Sequence, residues 1–311
     1  MQKEQTCVLI VGAGSRSAEA ITRVLKTETD YRIVLLSRNT PTSEHDDKLA
    51  FYQGDFTVRK QLKDVCLRER PNVIINTAAL TNVEYCEINR QEAWNVNVRG
   101  VENIVGMCRI LDSRMIQLST DYIFDGAHGP YAETATPNPL NYYGKSKLAA
   151  ENVCASGNIE YAIVRTNVLY GATMSFKPDF VIKISEKLQQ KQEFGVVNDQ
   201  FHNPTLIDDL AYAIKKLIVK RRQGIYNVAG SEYLNRYEFA TAIARTYGLD
   251  ENLIKAITTE SLKPTVERPL KAGLVTLKAE TDLGINFSNV ADGLTTMRRQ
   301  MQLFGYREWK L

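Results

Sequence analysis

Histidine is scarce in this chain. His45, His128 and His202 are the only three in 311 residues, and no two are spaced as a ligand pair. A metal centre built on histidine is therefore not expected. The Gly-x-Ser-x-Gly elbow of a Ser-His-Asp hydrolase is also missing. Cysteine is sparse and odd in number: Cys7, Cys66, Cys86, Cys108 and Cys154 lie far apart, with no Cys-x-x-Cys pair. That excludes a disulfide framework or a zinc knot and suits buried thiols in a reducing cytoplasm. No apolar run approaches the ~18 residues a membrane span needs. The stretch from Met1 to Ile10 passes straight from a polar tip into an apolar run, unlike a cleaved signal. Charge of one sign is lacking too. Lys and Arg number 39 against 36 Asp and Glu, and the basic residues are scattered, which gives no nucleic-acid groove.

What is present is an ordinary soluble composition, 44% hydrophobic and 24% charged, so a sizeable core forms and disorder is not the theme. The length suits about two domains at ~150 residues each, or one large α/β domain with a smaller lobe. In the first half, short β-rich runs alternate with amphipathic stretches. Cys7–Val11, Ile33–Leu36, Val73–Ile75, Met115–Leu118 and Ala162–Val164 read as parallel strands buried on both faces. Ala18, Ile21 and Leu25 share one helical face, as do Leu62 and Val65, and then Val101, Ile104, Val105 and Cys108. Alternation of this kind predicts a doubly wound parallel sheet of the Rossmann type. Farther on, Thr205-Leu206-Ile207-Asp208 resembles a capping box. It opens a helix with Leu206, Leu210, Ile214, Leu217 and Ile218 as its buried stripe. Gly224–Val228 reads as another strand. Asn235 followed by Glu238 caps a further helix with Phe239, Ile243 and Tyr247 inward. The expected division is a dinucleotide-binding domain over residues 1–170 and 206–230, with a substrate lobe from 171–205 and 231–311. No flexible linker separates them.

Val11-Gly12-Ala13-Gly14-Ser15-Arg16 follows the first strand and opens the first helix. Glycines at such a turn let a backbone approach a pyrophosphate, and helix N-terminal N–H groups meet its charge. Gly12, Gly14, Ser15 and Arg16 are thus candidate cofactor contacts. The second strand ends at Ser37-Arg38, where an acidic residue would select NAD and an arginine suits a 2′-phosphate. With Arg16 as a second cation, the pattern favours NADPH over NADH. Gly54-Asp55-Phe56 follows the third strand and is placed against the adenine. The small residues of Asn76-Thr77-Ala78-Ala79 end the fourth strand and let a cofactor pass closely.

Tyr143 and Lys147 are four apart, hence on one helical face. A phenol's pKa near 10 is too high for easy proton exchange at neutral pH, and a nearby ammonium lowers it. Ser119-Thr120-Asp121-Tyr122 at the end of the fifth strand offers a hydroxyl, Thr120, to a substrate carbonyl.

Together, Gly12-Ala13-Gly14, Asn76-Thr77-Ala78-Ala79, Asn97, the stretch Ser119 to Gly126 and the stretch Pro139 to Leu148 resemble the extended short-chain dehydrogenase/reductases. Within them, Thr-Asp-Tyr-x-Phe-Asp-Gly and Pro-Leu-Asn-x-Tyr-Gly-x-x-Lys are similar to the dTDP-4-dehydrorhamnose reductase family. So are Val197 to Phe201, Pro204-Thr205 and Arg268-Pro269. The resemblance implies a reductase of a nucleotide-linked 4-keto sugar, with Tyr143 as proton donor. It also implies that Lys147 lowers the Tyr143 pKa and binds the nicotinamide ribose, and that Thr120 bonds the carbonyl oxygen. Asn97 and Ser119 fall in the cofactor and supporting shell. Thr81, Thr120, Tyr122, Asn167, Asn203 and Arg268 fall in the sugar pocket.

Three positions depart from the family pattern. Ser15 and Ala18 stand where its second and third turn glycines are usual. Arg165 to Tyr170 lacks the tryptophan often found after the sixth strand. Glu19 is one place off the glutamate that some members use for a metal, so no metal is assigned. Two other readings stay open. One is a nucleotide-sugar epimerase or dehydratase, against which stands the lack of an Asp-Glu pair after Thr120. The other is a non-catalytic NADP-binding regulatory subunit like the β subunit of methionine adenosyltransferase, which the altered turn favours. A homodimer is also left open.

Overall fold

The computed structural model describes residues 5–39, 47–175 and 178–306; His45 lies outside them. Six strands, β1 (Cys7–Val11), β2 (Arg32–Ser37), β3 (Leu49–Gln53), β4 (Val73–Asn76), β5 (Arg114–Thr120) and β6 (Tyr161–Thr166), join an edge strand, Gly224–Asn227. All pair in parallel. The order across the sheet is Gly224–Asn227, β6, β5, β4, β1, β2, β3. Every residue of β1, β4 and β5 is buried, which is why these segments read as unbroken apolar runs rather than alternating ones.

The helices are α1 (Arg16–Glu28), α2 (Arg59–Glu69), α3 (Val83–Ile88), α4 (Arg90–Trp94), α5 (Gly100–Leu111), α6 (Tyr142–Ala155), α7 (Phe180–Gln189), α8 (Ile207–Val219), α9 (Arg236–Tyr247), α10 (Leu277–Leu283) and α11 (Val290–Leu303). On one sheet face, Ala18, Ile21 and Leu25 of α1 meet Leu210, Ile214 and Leu217 of α8. On the other, Leu62 and Val65 of α2 pack with Val101 and Ile104 of α5 and Ala150 of α6. All five cysteines are unpaired and buried.

The strand order reverses between β1 and β4. That is where a doubly wound sheet opens a crevice beyond its carboxyl ends. The smaller lobe has its own core, drawn from Val181 and Ile184 of α7, Phe239 and Ile243 of α9, and Leu294 and Met297 of α11. Two expectations are corrected. Ala279, Leu283 and Phe287, assigned to the lobe from sequence, pack into the sheet's core instead. Their hydrophobic periodicity marks them as buried but not against which layer. And α8 has no capping box: its N-cap is Leu206 without a side-chain bond. Thr205 is turned inward, its hydroxyl bonding Asn167 Oδ1 and the Asn203 carbonyl at 3.2 and 2.9 Å. The capping box on α9, between Asn235 and Glu238, is present with both bonds. No helix of the described residues is long and apolar enough to cross a membrane.

Candidate active site

The turn after β1 brings the chain against the loop after β4. Gly12 has φ +85°, and a Cβ there would come within 2.7 Å of the Ala78 amide nitrogen, so only glycine fits. At Gly14 a Cβ would meet no atom within 4 Å. Packing around a side chain therefore does not account for that glycine, and the space beside it is open. Ser15 turns out to be the N-cap of α1: its Oγ accepts from the Ala18 amide at 3.0 Å and lies 2.8 Å from Thr77 Oγ1. A serine thus supplies at this helix start what the usual glycine cannot. Ala18 is fully buried and lets α1 lie close to the sheet.

Arg38 is exposed and lines a cavity of about 350 Å³ with Gln53, Gly54, Asp55 and Gln61 beyond the ends of β2 and β3. Ser37 Oγ bonds the Asn39 carbonyl. Two assignments change here. Arg16 does not face this cavity: its guanidinium pairs with Asp179 at 2.5 Å and bonds the Gly171 carbonyl, tying α1 to the start of α7. Phe56 is not an adenine contact through its ring, which is buried against Gly100 in the sheet's core. Asp55 spends one carboxylate oxygen on its own turn, accepting from the Thr57 amide and hydroxyl at 2.8 and 2.7 Å. Side-chain direction after a strand end depends on tertiary packing, which spacing does not encode.

Tyr143 and Lys147 occupy one face of α6, as their spacing predicts, and both are buried. Asn141 caps this helix, accepting from Gly144 N at 2.9 Å. Gly144 in the Tyr-Gly-x-x-Lys motif has a steric cause: a Cβ there would stand 2.2 Å from the Tyr122 carbonyl oxygen. The close approach sets Tyr143 near Thr120 and edge-on to the Tyr122 ring at 5.7 Å. Lys147 Nζ donates to the Leu118 carbonyl at 2.6 Å, and burial lowers its pKa to about 8. One expectation fails on this geometry. Burial pushes the Tyr143 phenol well up, and the group that draws it down is Thr120, not Lys147.

Asn97 sits in a single π turn, Asn95–Arg99, between α4 and α5. Its amide bonds the Leu80 N–H and carbonyl at 2.8 and 3.0 Å and Ser146 Oγ at 2.9 Å, linking the β4 loop to α6. The backbone loops near the crevice, including Ala79, are thus pinned from behind, and such π insertions recur at functional sites. Ser119 points away from the crevice. Its hydroxyl donates to Glu151 at 2.5 Å, and Glu151 is held by Nε and Nη2 of buried Arg165 at 3.0 and 2.7 Å.

Next along the chain, burial pushes the Tyr122 phenol up, and the positive charges of Arg236 and Arg268 draw it down. Arg268 also pairs with Glu84 at the start of α3. Arg236 stacks over Phe180 at 5.5 Å and bonds Gln200 at 3.1 Å. Two cations therefore flank one phenol at the crevice mouth, an arrangement suited to a diphosphate. Asn167 bonds Thr205. Thr81 is exposed in the loop after β4. Asn203 is corrected: its Oδ1 accepts from Leu274 N at 2.8 Å and serves as a knot inside the lobe, not as a lining group. Sequence reading missed Arg236, Gln200 and Asp121. For Arg236 a signal existed, since a basic residue just after an N-cap opposes the helix dipole and calls for another reason.

The RmlD substrate binding domain family matches residues 6–303. A dTDP-4-dehydrorhamnose reductase of Aggregatibacter actinomycetemcomitans is 31% identical over 303 residues, 94% of this chain and 98% of its own. The methionine adenosyltransferase 2 subunit beta of Bos taurus is 32% identical over 222 residues, 70% of this chain and 66% of its own. Among solved structures, the Bacillus anthracis dTDP-4-dehydrorhamnose reductase in complex with NADP superposes with a TM-score of 0.85 at 27% identity. That match covers 95% of this chain and 99% of the other.

Proposed function

The chain belongs to the RmlD substrate binding domain family, and from that premise we propose that it is an NADPH-dependent oxidoreductase reducing a nucleotide-linked 4-keto sugar in the cytoplasm. The observation that carries the reading is the buried triad on β5 and α6: Thr120 and Tyr143, with Lys147 one turn further along the same helix. The cofactor would lie across the crevice between β1 and β4, with its diphosphate over Gly12 and Gly14 and its 2′-phosphate at Arg38. Lys147 would hold the nicotinamide ribose. When bound, the nicotinamide supplies a hydride. The chain's own part is to hold the ketone oxygen by Thr120, give it a proton from Tyr143 Oη, and keep water out. Tyr122, Arg236 and Arg268 would receive the nucleotide-sugar diphosphate.

The test is NADPH oxidation with a dTDP-linked 4-keto-6-deoxy sugar, comparing wild type with Tyr143→Phe. We expect turnover in the wild type and a loss of roughly 10²–10⁴ in kcat in the variant, with NADPH binding kept. Wild-type rates in the variant would remove Tyr143 from the reaction. A second reading, a regulatory NADP-binding subunit, is favoured by Ser15 and by the commitment of Arg16 to Asp179. Tight NADPH binding without turnover on any nucleotide sugar would select it.

A further inference from the structure

Tyr143, Lys147 and Glu151 follow one another at one-turn intervals along α6, and all three are buried. Spacing alone would close an ion pair between Lys147 and Glu151. The fold prevents it. Among the described residues Lys147 takes part in no ion pair. Its Nζ donates to the Leu118 carbonyl of β5 at 2.6 Å. Glu151 is drawn the other way. Arg165 on β6 donates from Nε to Oε1 at 3.0 Å and from Nη2 to Oε2 at 2.7 Å, a planar fork on a planar carboxylate. Ser119 of β5 adds a third bond, to Oε1 at 2.5 Å.

Arg165 is fixed beyond what a pair requires. Its Nη1 donates to the Glu133 carbonyl at 3.2 Å, its guanidinium lies over the Phe124 ring at 5.4 Å, and that ring stacks on Tyr131 at 4.3 Å. A buried ion pair is weak support for a fold, since apolar residues of similar volume pack about as well. Its presence beside the reacting groups calls for another reason. An ammonium has three protons to give and nothing to accept with. One goes to Leu118. A carboxylate closing on Lys147 would take another and hold the side chain back against its own helix. From α6 the titratable groups near Lys147 are Tyr143, Glu151 and Cys154, and from β6 Arg165 stands behind Glu151. Burial pushes the Cys154 thiol up to about 12 and so keeps it neutral, which leaves Glu151 as the competing anion.

We propose that Arg165 is a positioning residue: by holding Glu151 against Ser119, it keeps the Lys147 ammonium free for the nicotinamide ribose. The inference rests on the reading of Lys147 as the ribose ligand. Arg165 acts on Lys147 only through Glu151. The clamp spans β5, α6 and β6. Thr120 ends the first of these and Tyr143 stands on the second, so the ammonium is held in register with both.

The experiment compares wild type, Arg165→Met and the double variant Arg165→Met/Glu151→Gln in two measurements. One is the NADPH dissociation constant. The other is a lysine ¹³Cε NMR titration of the cofactor-free protein, with the Lys147 signal assigned by its loss in Lys147→Met. In the wild type Lys147 should titrate near 8, where burial sets it. Arg165→Met releases Glu151 to Lys147. The midpoint should then rise toward the ordinary lysine value of 10.5, and NADPH should bind roughly tenfold to a hundredfold more weakly. Glu151→Gln on top removes the charge and restores no packing. It should bring the midpoint back toward 8 and recover most of the affinity. A midpoint that stays high in the double variant means that water has entered a loosened helix, and it overturns the proposal. So does an unmoved midpoint in Arg165→Met. If that variant does not fold, Arg165→Lys, whose ammonium cannot fork both oxygens, should show the same rise to a smaller extent, and Glu151→Gln should again reverse it. Wild-type NADPH affinity in Lys147→Met would instead overturn the ribose reading beneath the proposal, while the NMR titration, free of cofactor, still reports whether Arg165 holds Glu151 off Lys147.

Discussion

On the proposed function, Arg38 would carry the choice of cofactor. It is exposed beyond the end of β2, next to Asp55 and Gln53, and a 2′-phosphate there would bring nearly two negative charges. One charge-assisted hydrogen bond contributes about 1.5–3 kcal/mol. Arg38→Ala should therefore weaken NADPH binding roughly tenfold to a hundredfold, and leave NADH, with a neutral hydroxyl there, nearly untouched. Paired titrations with both cofactors at two ionic strengths check this, and salt should weaken NADPH binding more than NADH binding. Equal effects on both would make Arg38 a solvated surface charge. Arg16, engaged with Asp179, is not expected to contribute to this preference. Lys147→Ala should weaken cofactor binding more than Tyr143→Phe does, because it loses a ribose contact; equal dissociation constants would contradict that division of roles.

At the level of elements, legibility tracked how local the cause was. The five inner apolar runs read as strands from sequence were found because parallel strands buried on both faces leave short apolar runs whatever surrounds them, and the edge strand at Gly224 was read as well. The Tyr143–Lys147 face followed from helical period alone. What escaped depends on partners remote in sequence. Arg16 meets Asp179 across 163 positions, and Arg165 meets Glu151 in the same buried layer only because α6 lies on β5 and β6. The capping box of α9 was legible, being complete within four residues, whereas the one inferred at Thr205 was a strand residue with the right letters. The α9 cap also aims Arg236, the first residue of that helix, into the crevice. Asn235→Ala should cost about 1 kcal/mol of stability. It should also raise the KM for the nucleotide sugar more than it lowers kcat, since the cap sets where Arg236 begins. Denaturant melts and steady-state kinetics separate the two effects. Unchanged KM would mean that Gln200 and Phe180 alone fix Arg236.

For the molecule as a whole, the lobe is fastened to the sheet at its cofactor end. Asp179, the N-cap of α7, accepts from the Gly171 and Ile182 amides at 3.0 and 2.9 Å and from Arg16 at 2.5 Å. The turn before α1 and the smaller lobe thus share one buried carboxylate, and lobe placement is coupled to that turn. The five thiols divide along the same architecture. Cys7, Cys66, Cys108 and Cys154 sit in the sheet's core, where burial pushes Cys7 up to about 11 and Cys66 and Cys154 up to about 12. Cys86 lies apart, on α3 in the small cluster with Tyr143, Val83 and Val266. A thiolate forms only where water reaches the sulfur, so alkylation clocks the opening of each layer separately. Under mild denaturant, mass spectrometry should show one fast-modified cysteine, Cys86, and four that react together and only at the rate of global unfolding. Nucleotide-sugar binding should slow the first without a matching change in the other four, turning an otherwise silent residue into a gauge of the active-site wall.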